Sequence, residues 1–443
     1  MLEMLMLKAS EQCQDIEQVT HWLQEYKKNL EYVQEEISFS DSDQWYWDGE
    51  GCALRHKTGK FYSVAGFSKG LEKRPMIDQP EVGTQGFVIY KEAGEVYILA
   101  QARTEPGNLN IVELGPSIQA TWSNYSRAHK GRKTIFLDLF HDENAPNRMA
   151  DCVLPELGTY FFRKYNRNVI VEVKDPAGFE SERFKWISLT TMSQLFDVDH
   201  VINNDARLVY GLLMAKLHEA QQSETDADVA ACQEMLETLR DRQSSWNDDV
   251  ERVDLKSLDD WQITEDKIKP KEEGDYEVLQ LRVNASDREV YQWDQPLVHT
   301  LHKGLVALIL RKVQGQWQVM LEYKEELGNE FGYLMGPSAT IANPDTLSTN
   351  AELSSLFSQP DKEILATHSC SEEGGRFFEC TNEYQLIDVS NVDAEIIEGV
   401  MKQNRCWLNL ESAITQFDRP NVLSDDCRGV IAIFMAYQKR TSV

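Results

Sequence analysis

The stretch from residue 105 to residue 133 combines residue types that could bind a polar ligand and act on it. Two turn motifs, Pro106-Gly107-Asn108 and Gly115-Pro116-Ser117, constrain the backbone. Uncharged hydrogen-bonding side chains accompany them, namely Asn108, Asn110, Gln119, Asn124 and Tyr125. The stretch ends in Arg127, His129, Lys130, Arg132 and Lys133, although the net charge of the chain is −28. Because arginine binds phosphate oxygens bidentately, this pattern indicates a site for a multiply charged anion such as pyrophosphate. The alternative is a solvated face that neutralises nearby acids.

The composition favours a globular cytosolic protein with two domains. A chain of 443 residues, of which 42% are hydrophobic, is too long for one ordinary core. A pI near 4.7 argues against a nucleic-acid or membrane partner. No apolar run approaches the ~20 residues that a membrane span needs. The eight cysteines lack a C-x-x-C pair and zinc-type spacing, so we expect reduced thiols, and we expect no signal peptide.

Hydrophobic periodicity along the chain predicts an α+β fold with mixed or antiparallel sheets, and residues 105–133 lie within it. The periodicity predicts an amphipathic helix over 11–37, a strand-like segment at 45–67, and helices near 190–198 and 204–218, which follow an aromatic segment at 160–173. Phe87–Tyr90 and Val96–Ala100 flank a Glu92-Ala93-Gly94 turn, which predicts a hairpin. The acidic segment 219–250 is predicted to be a connector with a helix at 226–242.

After the connector, the same order of motifs begins again. The segments 105–108 and 115–117 correspond to 326–329 and 336–338, both displaced by 221 residues (326 − 105 and 336 − 115). Phe161-Phe162 corresponds to Phe377-Phe378, and Asp205-x-Arg207 to Asp426-x-Arg428. We therefore predict a duplicated domain. The predicted parts are an N-terminal helical arm (1–40), a first repeat (41–218), the connector (219–250) and a second repeat (251–443). Motifs present in both repeats are expected to specify the fold rather than the chemistry.

The two repeats differ in charge. Where the first repeat has Arg163, Lys164 and Arg167, the second has Glu379, Cys380 and Glu383. The basic run at 127–133 corresponds to residues 348–354, which contain no basic residue. We therefore predict a working anion-binding pocket in the first repeat and a relic pocket in the second.

The chain lacks the motifs of several large enzyme classes. It contains no G-x-G-x-x-G opening a βαβ unit, no P-loop, no G-x-S-x-G and no H-E-x-x-H. The pair His299-x-x-His302 stands alone ahead of an apolar strand, where a structural role is expected rather than a metal site. A dinucleotide-dependent oxidoreductase and a metalloprotease are therefore disfavoured.

Several segments resemble the nucleotide-diphosphate-hexose 2,3-dehydratase family of deoxysugar biosynthesis. They include HKTGKFYSVAGF, QARTEPGNLNIVELGPSIQATWSNYSRAHKG, FRKYNRNVIVEV, REVYQWDQPL and SEEGGRFF, and the resemblance spans the chain from about residue 20. It implies a fold similar to the Nudix hydrolases, duplicated in each subunit of a homodimer. It also implies a thymidine-diphosphate (dTDP) 4-keto-6-deoxyhexose as substrate, functional coupling to a 3-ketoreductase, and no cofactor or metal. Because the Nudix metal-binding signature is absent, pyrophosphate hydrolysis is not expected.

In the reaction that the resemblance implies, a base removes the C3 proton, which the C4 ketone acidifies, and the C2 hydroxyl leaves with help from an acid. The resulting enol tautomerises to a 3,4-diketo-2,6-dideoxy sugar. Glu105 or Glu156 is the candidate base, and His129 or Tyr125 the candidate acid. Glu113 and His129 gain weight because the second repeat has Leu334 and Asn350 at their places, whereas Glu105 and Glu156 correspond to Glu326 and Glu372.

The other candidate residues would bind substrate. His56, Lys60, Asn108, Asn110, Gln119, Asn124 and Asn166 would contact the sugar nucleotide, and Arg127, Arg163, Lys164 and Arg167 would hold the diphosphate. One segment departs from the family, because its S-E-Q-G appears as Pro155-Glu156-Leu157-Gly158. This departure favours the alternative of a non-catalytic sugar-nucleotide-binding or assembly protein. A Nudix-type hydrolase is a third hypothesis.

Overall fold

The computed structural model describes residues 15–49, 51–125, 132–141, 147–218, 225–402 and 404–441, with the backbone alone for Tyr125. In the leading half the elements are α1 (Ile16–Lys28), β1 (Tyr32–Ile37), β2 (Trp45–Asp48), β3 (Ala53–His56), β4 (Ser63–Lys69), β5 (Glu72–Asp78), β6 (Gly83–Glu92), β7 (Glu95–Thr104), β8 (Val112–Gly115), β9 (Ile118–Ala120), α2 (Trp122–Tyr125), α3 (Leu137–His141), β10 (Arg148–Pro155), β11 (Phe161–Phe162), β12 (Tyr165–Glu172), β13 (Phe184–Ser188), α4 (Leu189–Leu195) and α5 (Asn204–His218). Then come α6 (Asp226–Ser245) and the trailing half: β14 (Glu251–Val253), β15 (Trp261–Ile263), β16 (Lys267–Pro270), β17 (Tyr276–Ala285), β18 (Gln292–Thr300), β19 (Gly304–Val313), β20 (Gln316–Glu325), β21 (Tyr333–Gly336), β22 (Ala339–Ile341), α7 (Ala351–Phe357), β23 (Glu363–Ser371), β24 (Thr381–Asp388), α8 (Ala394–Met401), β25 (Arg405–Asn409), α9 (Leu410–Ile414) and α10 (Asp425–Thr441).

Each half contains one large mixed sheet, and the two sheets have the same strand order. The leading sheet runs β10-β12-β6-β7-β13, with β8 beside β7 and β9 beside β6. The trailing sheet runs β23-β24-β19-β20-β25, with β21 beside β20 and β22 beside β19. In each sheet one central pair is parallel, β12 with β6 and β24 with β19. The prediction of an α+β fold with mixed sheets is confirmed.

Two smaller sheets join the halves by exchanging strands. β1 of the leading half pairs with β17 of the trailing half, with Tyr32 opposite Ala285. In return, β14 pairs with β4, with Glu251 opposite Ser68. The predicted helix over 11–37 is therefore wrong beyond Lys28: Asn29 caps α1, and residues 32–37 form a strand. Pairing with a strand far away in the sequence overrides the local helical period there.

The hairpin and the later helices lie where the sequence predicts them. Ala93 and Gly94 take positive φ values of 50° and 85° in the β6–β7 turn, and Gly94 tolerates this conformation without strain. Helices α4, α5 and α6 occupy the three predicted regions. No helix in the described part of the chain is long and apolar enough to cross a membrane.

Two equivalent turn–loop contacts hold the halves together. We call residues 371–378 the trailing loop and residues 155–162 the leading loop. The Gly107 amide donates to the Gly374 carbonyl in the trailing loop, and the Gly328 amide donates to the Gly158 carbonyl in the leading loop, both at 2.8 Å. A Cβ at Gly107 would lie 1.5 Å from the Phe377 carbonyl oxygen. Close backbone approach therefore explains why both repeats keep this glycine.

The Asp-x-Arg motifs act on the same two loops. Buried Arg207 on α5 donates to the Ser371 carbonyl, and buried Arg428 on α10 donates to the Pro155 carbonyl. Both guanidiniums satisfy loop carbonyls of the opposite half. The shared motifs thus position the loops from which the site is built.

Candidate active site

A cavity of about 420 Å³ lies between the two halves. The leading half contributes side chains from β2, β3, β6, β9 and β12 and from the segments after β3, β7 and β9. They include Trp45, His56, Tyr62, Thr84, Gln85, Glu105, Gln119, Asn124 and Asn166. The trailing half contributes residues 288–290 and 293–295 of the β17–β18 hairpin, together with Glu373, Gly375 and Arg376 of the trailing loop. Neither half closes this cavity alone.

The β17–β18 hairpin covers the cavity because it is longer than its counterpart, β4–β5. Its turn spans residues 286–291, whereas β4 and β5 are joined by Gly70 and the fully exposed Leu71. Asp287 Oδ2 accepts hydrogen bonds from Tyr26 at 3.1 Å and Thr104 at 2.8 Å. The Arg288 guanidinium donates to the Thr104 carbonyl at 2.7 Å. These contacts fasten the hairpin tip to the leading half.

Six acidic residues line the cavity, namely Asp43, Glu105, Asp205, Glu289, Asp294 and Glu373. Glu105 Oε1 accepts from Arg103 Nε and from Gln119 Nε2, each at 2.9 Å. The buried Glu105 Oε2 has no hydrogen-bond partner among the described residues. The Glu105 carboxylate is therefore held in place with one oxygen left over for a ligand.

The pKa values of Asp205 and Glu373 are both raised. Burial, followed by the charges of Glu373, Glu156 and Glu105, raises the pKa of Asp205 well above its ordinary value. Burial also raises the pKa of Glu373, opposed by Arg376 and supported by Glu105. An ion-paired carboxylate beside carboxyls whose pKa values are raised is an arrangement suited to acid–base catalysis.

The cations on the cavity wall differ from those predicted. Arg103, Arg288 and Arg376 line it together with Lys57. Arg376 lies over the Tyr62 ring at 4.3 Å and donates from Nε to Gln79 Oε1 at 2.9 Å. Two of the three arginines therefore come from the trailing half, so the expectation that the first repeat alone supplies the positive lining is wrong.

Three of the predicted phosphate-binding cations, Arg163, Lys164 and Arg167, lie outside the cavity wall. Arg163 forms an ion pair with Asp248, and Arg167 forms one with Asp151. Lys164 is buried and donates to the Glu81 carbonyl. The structure therefore brings none of these three side chains to the cavity.

The remaining predicted residues fall into three groups. His56, Glu105, Gln119, Asn124 and Asn166 line the cavity, whereas Lys60, Asn108, Asn110, Glu113 and Glu156 do not. Arg127 and His129 lie outside the described residues, and so does the side chain of Tyr125. Five of the predicted residues therefore meet on one surface.

Burial shifts the pKa of three predicted site residues, of which one lines the cavity and two do not. Burial, with the nearby Lys57 charge, lowers the pKa of His56 to about 4, so its imidazole is neutral near pH 7. Glu156 accepts from Asn166 Nδ2 at 2.6 Å, and burial, together with the charge of Asp425, raises its pKa to about 8. Glu113 accepts from Ser371 Oγ at 2.8 Å, and burial raises its pKa to about 8 against the opposing effects of Ser371 and Arg207.

In the trailing half the equivalent of Glu105 is Glu326, and its negative charge is neutralised by a neighbouring lysine. Lys324, at the position of Arg103, pairs with Glu326 at 2.7 Å and Asp426 at 3.3 Å. Thr159 Oγ1 donates to Glu326 Oε1 at 2.7 Å, and Asn329 Nδ2 donates to Glu326 Oε2 at 3.1 Å. Both oxygens of Glu326 are therefore occupied, unlike those of Glu105.

Five charged cavity residues were not among the predicted site residues: Arg103, Asp205, Arg288, Glu373 and Arg376. A signal for the last pair was present, because Glu373 and Arg376 correspond to Leu157 and Tyr160 in the first repeat. A search for charged residues that are present in the second repeat and absent from the first would have found Glu373 and Arg376. Within the described ranges, no group of three or more His, Cys, Asp or Glu residues is arranged to hold a metal ion.

A chain with this pair of halves and this shared cavity belongs to the NDP-hexose 2,3-dehydratase family, whose model matches residues 16–213 and 232–434. Three curated relatives carry the name dTDP-4-dehydro-6-deoxy-alpha-D-glucopyranose 2,3-dehydratase. The one from Amycolatopsis orientalis is 30% identical over 390 residues, covering 84% of this chain and 81% of the relative. Those from Streptomyces violaceoruber and Saccharopolyspora spinosa are 29% identical over 377 residues and 27% identical over 401 residues. These alignments cover 81% and 83% of this chain and 84% and 81% of the relatives.

Proposed function

We propose that this chain is a dTDP-4-keto-6-deoxy-hexose 2,3-dehydratase, a hydro-lyase that forms a 3,4-diketo-2,6-dideoxy sugar nucleotide. The observation that carries the proposal is the environment of Glu105. Its carboxylate is fixed through Oε1 by Arg103 and Gln119, while Oε2 receives no hydrogen bond from any residue that the structure describes. The relatives that share more than four-fifths of the chain are named for this reaction.

Glu105 is the base in this proposal. Its Oε2 removes the C3 proton, and the electron pair moves onto the C4 oxygen. Arg103 and Arg376 place positive charge on the cavity wall, where it would stabilise that oxyanion. Departure of the C2 hydroxyl as water then gives the enol, which tautomerises. His129 and Tyr125 are the acids that the sequence offers for that step.

Neutral groups would orient the hexose and cations the diphosphate. Gln119, Asn124 and Asn166 present amides to the cavity, and His56 adds a neutral imidazole. Lys57 donates to the Asp43 carbonyl, and Arg288 donates to the Thr104 carbonyl and pairs with Glu289 at 3.7 Å. We assign these two remaining cavity cations to the diphosphate. Arg127 remains a predicted phosphate ligand.

The shared strand order supports a duplicated origin. That the repeated fold is Nudix-like, with a relic trailing pocket, is part of the proposal and comes from the family resemblance. The neutralisation of Glu326 by Lys324, Thr159 and Asn329 fits that interpretation. A homodimer in the cytosol is part of the proposal. The proposal also includes a 3-ketoreductase that consumes the product, because the product carries a new C3 ketone.

The departure at residues 155–158 is the feature that favours a non-catalytic binding protein. The backbone of that segment contacts the turn around Gly328. Its Glu156, which the departure keeps, accepts a hydrogen bond from the cavity residue Asn166, whereas Pro155 and Leu157 do not line the cavity. The departure therefore weighs little against catalysis in the cavity.

The test is a coupled assay. Purified protein is incubated with the dTDP-4-keto-6-deoxyglucose substrate, a 3-ketoreductase and its nicotinamide donor, and products are separated by ion-exchange chromatography. A dTDP-2,6-dideoxy sugar that accumulates only when both proteins are present is the expected result. Recovery of unchanged substrate would indicate the binding protein, and magnesium-dependent release of nucleoside monophosphate would indicate the hydrolase.

A further inference from the structure

The trailing loop and the leading loop make the same backbone contacts but carry different side chains. Glu373 and Arg376 of the trailing loop correspond to Leu157 and Tyr160 of the leading loop. Leu157 is buried, and the Tyr160 ring packs edge-on against Phe377 at 5.2 Å. Because the leading loop folds with apolar contacts at these positions, the fold does not require the charges of the trailing loop. Their location on the cavity wall supplies the other reason for them.

The Glu373 carboxyl lies close to that of Glu105. A Cβ placed on Gly375 would lie 3.1 Å from Glu373 Oε1 and 3.6 Å from Glu105 Oε1. The sum of these distances, 6.7 Å, is the largest separation that the two oxygens can have. With a hydrogen-bond reach of about 3 Å for each carboxyl, the two groups can touch neighbouring carbons of one sugar.

We propose that Glu373, supplied by the trailing half, is the catalytic acid that protonates the C2 hydroxyl as it leaves. This inference rests on the proposed dehydratase function. Glu105 takes the C3 proton, and the C3–H electron pair forms the enolate at C4. As the C4 carbonyl re-forms, a C2–C3 double bond forms and the C2–O bond breaks. The departing hydroxyl takes the Glu373 proton and leaves as water. The enol proton on O3 then restores Glu373, and Glu105 returns its proton to C2.

The surroundings of Glu373 suit a proton donor. Burial raises its pKa, and among the charges that face it Arg376, Lys164 and Arg103 oppose this effect while Glu105 supports it. Among the described residues, no donor lies within hydrogen-bond distance of its carboxyl oxygens, so the acid proton can be directed at a ligand.

The test compares two leaving groups. Wild type, Glu373→Gln and the control Glu379→Gln are assayed with the 4-keto substrate and with its 2-deoxy-2-fluoro analogue, from which fluoride departs with much less need of a proton donor. Glu379 is an exposed carboxylate in the segment just after the trailing loop, outside the cavity. Glu373→Leu, which places the leading-loop residue at this position, is the second variant if Glu373→Gln does not fold.

For the natural substrate we expect kcat of Glu373→Gln to fall at least about 100-fold, with KM changed less than about threefold. Fluoride release from the analogue should fall less than about tenfold, and Glu379→Gln should match wild type. Equal losses with both substrates, or unchanged dehydration of the natural one, would overturn the role of Glu373 as the acid and leave the proposed dehydratase function standing. A wild type that is inactive with both substrates would instead overturn the proposed function.

Discussion

Replacing Glu113 by glutamine should change how stability depends on pH. The Glu113 side chain is fully buried between β8 and the trailing loop, and it accepts a hydrogen bond from Ser371. Burial raises the pKa of this carboxyl to about 8 from an ordinary value of 4.5. Between these two pH values the folded chain holds a proton on Glu113 that the unfolded chain has released. Its contribution to stability is therefore full below pH 4.5 and is lost as the pH rises toward 8.

The size of this effect follows from proton linkage. One proton that is bound only in the folded state lowers the free energy of unfolding by about 1.4 kcal/mol per pH unit. Glutamine keeps the shape and cannot titrate, so the difference between wild type and Glu113→Gln isolates this one group. Between pH 5.5 and pH 7.5, wild type should lose roughly 2 to 3 kcal/mol relative to the variant.

The assay is urea unfolding of both proteins at several pH values, followed by tryptophan fluorescence. Glu379→Gln, with an exposed side chain, is the control and should run parallel to wild type. Parallel curves for Glu113→Gln and wild type would refute the reasoning. Loss of dTDP-sugar turnover in Glu113→Gln, together with parallel curves, would instead support the catalytic role that the sequence suggests.

Two further predictions concern the contacts that build the cavity. Gly107→Ala would place a Cβ 1.5 Å from the Phe377 carbonyl oxygen, so we expect it to destabilise the fold by at least about 3 kcal/mol in urea unfolding, and wild-type stability would contradict this. Asp287→Ala removes the acceptor of Tyr26 and Thr104 at the hairpin tip, so KM for the sugar nucleotide should rise roughly three- to tenfold with a smaller change in kcat. Initial-rate kinetics would measure it, and an unchanged KM would show that the tether does not position the hairpin.

Local signals in the sequence predicted the local structure well. The β6–β7 hairpin follows from its Glu92-Ala93-Gly94 turn, and α5 follows from a helical apolar period, both of which are set by neighbouring residues. The strand at 32–37 could not be predicted in this way, because only its pairing with β17 makes it a strand. The exchange of β1 and β14 between the halves is likewise invisible to a comparison that treats each repeat separately.

The same exchange explains which site residues could be found. Glu105, Gln119 and Asn124 belong to one polar stretch, and they line the cavity together. Arg163 was wrongly predicted to line the cavity. It follows the leading loop, which lies against the trailing half, and the Arg163 backbone amide donates to the Gly328 carbonyl there. Glu373 and Arg376 were missed because each loop crosses to the other half.

The most direct measurement compares the same substitution in the two halves. Glu105→Gln and Glu326→Gln change equivalent glutamates, and each variant is assayed for formation of the 2,6-dideoxy product in the coupled reaction, per mole of folded protein. We expect Glu105→Gln to lose at least about 100-fold in kcat and Glu326→Gln to stay within about threefold of wild type. Turnover that survives in Glu105→Gln, or that is lost only in Glu326→Gln, would contradict the assignment of the reaction to the cavity that Glu105 lines.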